Sequence, residues 1–162
     1  MTTPLPIPMP LAAGADARLY PLIERLFATH GYTEVQSGNF DAFSSRAGNT
    51  LLLFTEDPIR YKETLDLAVI VPELERAFPG RFAVGVLLPE AARQFHPRYE
   101  FRRWPAFVLL RDGQYVGAVD GLRNWNEYVD EVARLLEAPP TRAPTVGIAV
   151  KGAGEGPGAC ST

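Results

Sequence analysis

Apolar positions recur along this chain at two different periods, and the changes of period lay out the elements. Leu19, Leu22, Ile23, Leu26 and Phe27 fall at helical spacing, predicting an amphipathic helix over about 16–30 with Gly31 just past its end. Pro21 is tolerated only near a first turn, so it sets a later start as the alternative. A short extended piece at 33–36 follows, then a turn or short helix at 39–45 carrying Phe40 and Phe43 inward. Thr50-Leu51-Leu52-Leu53-Phe54 is a continuous apolar run, the pattern of a strand buried on both faces. A longer helix is predicted over 60–78, with Leu65, Ala68, Val69, Leu74 and Phe78 inward and a kink at Pro72. A second buried strand spans 82–88, and a short helix at 89–96 is stopped by Pro97.

Trp104-Pro105 opens the next apolar run, and Asp112-Gly113 reverses the chain into a further strand at 114–119. Pro105 has no N–H for a ladder and must stand at the mouth of its strand. Its peptide bond reads two ways: trans, opening an edge strand, or cis, marking a specified turn. Gly121 closes the hairpin. Asn124 and Glu127 form a capping-box pair for a last helix, with Trp125, Tyr128, Val129, Val132, Leu135 and Leu136 on its apolar face. Strands alternating with helices up to a terminal hairpin predict an α/β sheet, parallel in the middle with an antiparallel edge.

Outside this pattern, 1–14 reads as a flexible Pro-rich arm and 139–162 as a disordered Gly/Pro-rich tail, leaving one domain at 15–138. Composition changes this picture only by exclusion. A net charge of −3, without a basic stripe interleaved with aromatics, argues against a nucleic-acid partner. No apolar run approaches the ~18 residues of a spanning helix, so no membrane insertion is expected. The N-terminal residues lack the basic stretch of a signal peptide, which with the absence of paired cysteines gives a cytoplasmic expectation. Cys160 is the only cysteine and cannot form an internal disulfide or a Cys-x-x-Cys pair. His30 and His96 are expected at helix ends facing solvent; with one remote thiol they are too few for a metal site. No cofactor is implied.

The order of elements resembles thioredoxin over about 33–137. Trp104-Pro105 stands where thioredoxins place a cis-proline, Pro72 where they kink their long helix, and the strand ending at Phe54 runs into the loop that would carry the redox motif. There this chain reads Glu56-Asp57-Pro58-Ile59-Arg60-Tyr61-Lys62. Thiol–disulfide exchange needs a thiolate and a resolving thiol, so the motif excludes a disulfide oxidoreductase. The stretches Phe54 to Pro58, Val71-Pro72-Glu73-Leu74-Glu75-Arg76-Ala77-Phe78-Pro79 and Arg103-Trp104-Pro105-Ala106 to Gly121 are similar to the HyaE/HupG/HoxO family of cysteine-less, thioredoxin-like hydrogenase accessory proteins.

That resemblance implies a three-layer α/β/α thioredoxin-like fold with a mixed sheet, a C-terminal hairpin and an extra N-terminal helix. It also implies a non-enzymatic maturation chaperone for an uptake [NiFe]-hydrogenase small subunit. The client would be the precursor with its twin-arginine signal peptide, its mature domain or both, and other hydrogenase accessory proteins are further candidate partners. Two alternatives stand beside it: a structural adaptor of a larger maturation complex, and a one-cysteine redox protein using Cys160. Thioredoxin-type folds take extended peptide beside the cis-proline. The partner-binding candidates are therefore Glu56, Asp57, Tyr61, Glu63, Trp104 and Pro105. Glu56, Asp57, Glu63 and Asp66 read either as helix N-terminal carboxylates favoured by the dipole or as an acidic rim for a signal peptide's arginines. Arg60, Lys62, Arg102 and Arg103 weigh against that rim. Trp104 is either a groove wall or a core aromatic under the hairpin.

Overall fold

A computed structural model of the chain describes residues 17–144. The arm at 1–14, most of the tail and Cys160 lie outside the described residues. A 3-10 turn at Ala17–Leu19 leads into α1 (Pro21–Ala28), β1 (Thr33–Glu34), α2 (Phe40–Ser44), β2 (Asn49–Phe54), α3 (Glu63–Ala77) and β3 (Ala83–Leu87). Then come α4 (Pro89–Phe95), β4 (Ala106–Arg111), β5 (Gln114–Asp120) and α5 (Trp125–Glu137). The sheet order is β1-β3-β2-β4-β5; β1, β3 and β2 run parallel, and β4 and β5 join antiparallel. This is the mixed sheet with a C-terminal hairpin that the sequence pattern predicts, in the thioredoxin-like arrangement that the resemblance implies.

Strand periodicity divides the core in two. Leu51 and Leu53 of β2 and Phe107 and Leu109 of β4 pack on one face with residues of α1, α3 and α5. Leu52, Phe54, Val108 and Leu110 pack on the other with Phe40 and Phe43 of α2 and Phe95 of α4. Helices on both faces explain why β2 and β4 read as unbroken apolar runs. Gly85 makes the second face fit, because a Cβ there would stand 2.3 Å from the Phe43 ring and 2.7 Å from Val35.

Several expectations need correction. Pro21 is the first residue of α1, so Leu19 falls before the helix and is 61% exposed. α3 begins at Glu63 rather than 60, because the Arg60 and Tyr61 amides are taken by the Asp57 carbonyl in a preceding turn. Val69, expected inward, is exposed; Leu67 and Val71 take the core positions instead. Trp125, expected on the apolar face of α5, is 44% exposed at its first position. Neither histidine faces solvent freely: His30 stacks on Tyr32, and His96 is half-buried against Phe101 and Trp104. Pro72 lies buried inside α3. The Asn124–Glu127 capping box is formed in both directions. Among the described residues no helix is long and apolar enough to cross a membrane.

Candidate functional site

Strand register brings the candidate residues to one end of the sheet. Phe54 at the end of β2 pairs with Leu87 at the end of β3 and with Ala106 at the start of β4; Ala106 in turn pairs with Asp120 at the end of β5. The 55–62 loop, the 96–105 loop and the 121–124 loop therefore open together. They form the mouth of the fold, outside the carboxyl ends of the parallel strands, where open α/β sheets place their ligands.

The Trp104–Pro105 bond is cis, and Pro105 is buried. Its surroundings are fixed by side chains on either hand. One oxygen of Asp120 accepts from the consecutive amides of Arg102 (2.8 Å) and Arg103 (3.1 Å), while Gly121 N–H donates to the Pro105 carbonyl (3.2 Å). Between these anchored residues, the main-chain N–H and C=O of Trp104 have no hydrogen-bond partner among the described residues. The indole is half-buried, edge-on to Phe101 (4.8 Å between centroids) and tilted over His96 (5.1 Å). His96 Nε2 lies 2.8 Å from the Phe101 carbonyl, which can only accept, so that nitrogen carries the proton. Trp104 thus packs partly on the core and keeps part of its surface exposed.

Across the mouth, the carboxylates do not form a continuous rim. Glu56 is only 5% exposed and accepts two bonds from the Arg93 guanidinium of α4, at Oε1 and, at 2.8 Å, at Oε2. Its Oε1 also accepts from the Asp57 amide (2.8 Å), and its own N–H donates to Thr64 Oγ1 (3.2 Å). Two bonds from Arg93 thus tie the 55–62 loop to α4, and the hydrogen bond to Glu56 raises the Arg93 pKa above its usual range. Asp57 caps the turn, Oδ1 accepting from Ile59 N–H (2.9 Å), and is half-exposed. Glu63 is exposed at the start of α3 and Tyr61 half-buried before it. The acidic side facing outward is thus Asp57 and Glu63, with Glu56 behind them.

Asp57 also lines a cleft of about 830 Å³ on the β1–β3 side of the loop, together with Glu34, Gln36, Arg60, Glu90 and Arg93. Trp104 and Pro105 lie outside this cleft.

Sequence reasoning points to Ile59 and Tyr61 as apolar contacts at the mouth and missed Leu122 and Trp125. Ile59, Leu122 and Trp125 are 43%, 54% and 44% exposed; Ile59 and Leu122 stand on loops at the mouth and Trp125 at the first position of α5. The apolar character of Leu122 and Trp125 reads as core in a sequence. Only the position of Leu122 between Gly121 and the Asn124 cap, outside any helical period, and that of Trp125 at the first position of its helix could have marked them as surface. Among the described residues no group of His, Cys, Asp and Glu is arranged to hold a metal ion.

The family described as Hydrogenase-1 expression protein HyaE matches residues 22–128, a span holding every residue of the mouth named above. The hydrogenase expression/formation protein HoxO of Cupriavidus necator is 39% identical over 142 residues, covering 86% of this chain and 88% of that protein. HoxO of Azotobacter vinelandii is 34% identical over 118 residues, covering 73% and 79%. HupG of Rhodobacter capsulatus is 28% identical over 131 residues, covering 80% and 95%. A crystal structure of the hydrogenase expression/formation protein hupG from Rhodopseudomonas palustris is 28% identical with a TM-score of 0.46, covering 64% of this chain and 94% of that one.

Proposed function

The chain belongs to the HyaE family of hydrogenase expression proteins, and from that premise we propose that it is a non-catalytic holder of a hydrogenase small-subunit precursor. The client is held before export, in the cytoplasm, with a segment of the precursor lying extended across the cis-proline. One observation carries this reading: Trp104 offers an unpaired N–H and C=O on an anchored stretch of backbone. An extended chain can pair with these two groups as an added strand does at a sheet edge. Ile59, Leu122, Trp125 and the exposed part of Trp104 supply apolar contact beside that pairing site, where aromatic anchors contribute most to affinity. Asp57 and Glu63 lie on the α3 side and suit a basic stretch such as the arginines of a twin-arginine signal peptide. The 55–62 loop contains no cysteine, so no covalent step accompanies binding there.

The test is capture of the tagged protein from its own host, with the bound proteins identified by mass spectrometry. The unprocessed small subunit is the expected partner, retaining its signal peptide. Recovery of only the large subunit, or of the small subunit solely in processed form, contradicts the reading.

A further inference from the structure

We propose that the hairpin side of the mouth recognises an acidic segment of the client, through Arg102, Arg103 and Arg123 with Leu122 and Trp125 as apolar anchors. This rests on the reading above that the mouth holds a client polypeptide, and it adds the chemistry of what is held on that side.

The three arginines belong to two loops that touch. Gly121 has φ +70°, and a Cβ there would meet the Arg103 stem at 3.1 Å, so Arg103 lies along the 121–124 loop. That loop is itself pinned: Tyr128 Oη donates to the Gly121 carbonyl (3.1 Å) and accepts from the Arg123 amide (3.2 Å). The backbone carrying the charges is therefore held in place while the charges are not neutralised. None of the three guanidiniums has a hydrogen-bond or ion-pair partner among the described residues. Asp120, three residues before Arg123, points its Oδ2 at the Arg102 and Arg103 amides instead.

All three arginines are exposed, on a chain whose net charge is −3. Exposed arginines without a partner on two loops that touch favour a client that supplies carboxylates. Leu122 lies next to Arg123 and Trp125 two residues beyond it, both about half exposed. Anchors of this kind, interleaved with arginine, suit a polypeptide whose acidic residues adjoin aliphatic or aromatic ones. Together with Asp57 and Glu63 across the mouth, they make the site bipolar, which would fix the direction in which a client chain lies.

The experiment uses the full-length chain and the purified small-subunit precursor, with wild type compared to Arg102→Gln/Arg103→Gln/Arg123→Gln. The expected loss of affinity is about tenfold at low ionic strength, shrinking as salt rises, because exposed ion pairs are individually weak and screened. The melting temperature is expected to be unchanged. On overlapping precursor peptides, wild type should select those with Asp or Glu beside large apolar residues, and the variant should lose them. Equal affinity of the two proteins overturns the inference while leaving the proposed function standing, and so does selection of basic peptides that survives the substitutions. Arginine-dependent binding of anionic vesicles or single-stranded DNA, with precursor binding unaffected, overturns it in favour of a phosphate-bearing partner. Failure of the wild type to bind the precursor overturns the proposed function, and the inference falls with it.

Discussion

Arg93 reaches Glu56 across 37 residues of sequence and holds a carboxylate whose side chain is 7% exposed, while its own is 55% exposed. The asymmetry decides what substitution does. Arg93→Ala leaves a buried carboxylate without its cation, and is expected to cost about 1–3 kcal/mol, with the exposed partner keeping the loss below that of a fully buried pair. Arg93→Lys should recover part of it; thermal unfolding of the two variants measures both. A mild effect of Arg93→Ala would mean that Thr64 and the Asp57 amide suffice to hold the loop. The buried phenols give a second residue-scale expectation. Burial pushes Tyr99 from 10.0 up to about 12 and raises Tyr115 and Tyr128 as well. Above pH 10 the unfolded chain has released these protons and the folded chain has not, so the folded state binds more protons. Stability should therefore be unaffected by these groups below about pH 10 and fall as pH climbs from about 10 towards 12. Denaturant titrations across that window check it, and Tyr99→Phe should flatten the decline.

At the scale of elements, α2 sits on β3 through a single glycine. Gly85→Ala puts a methyl into the Phe43 ring and Val35 at separations no real contact adopts, so the Phe43 ring, Val35 or the backbone carrying them must shift. The expected cost is about 1–3 kcal/mol, read as a lower denaturant midpoint with an unchanged slope. Elements of this kind were legible wherever burial and period coincide. Leu51 to Phe54 read as a two-faced strand and is one; Asn124 and Glu127 read as a capping box and form one in both directions. What did not follow from the sequence depends on contacts far apart in the chain. Glu56 looked like a surface carboxylate because its partner stands on a different helix. Val69 fits a helical stripe as well as Leu67 does, yet Leu67 is buried in the core and Val69 is exposed. Trp125 was assigned to the core because indole is apolar, though its place at the first position of α5 turns it outward. The site was legible in part for the same reason. Trp104-Pro105 announces itself by composition, while Leu122 and Arg123 join it only through the register of β4 on β5.

Over the whole molecule, three loops at one end of a two-sided core come together around a cis-proline, and three of the five large exposed apolar side chains among the described residues, Ile59, Leu122 and Trp125, stand at that end. Leu122→Ser with Trp125→Ala removes two of them from positions that contribute little to packing. Stability should change by no more than about 0.5 kcal/mol per site, whereas affinity for the small-subunit precursor should fall about tenfold or more. A parallel loss of both would return these residues to a structural role. The claim at the centre is that the client lies as an added strand on Trp104, and amide hydrogen exchange reads that backbone directly. With the precursor bound, peptides spanning 102–108 should exchange more slowly, the Trp104 amide foremost, together with those spanning 121–125. Protection confined to other faces, with the Trp104 amide exchanging as fast as in the free protein, would contradict it.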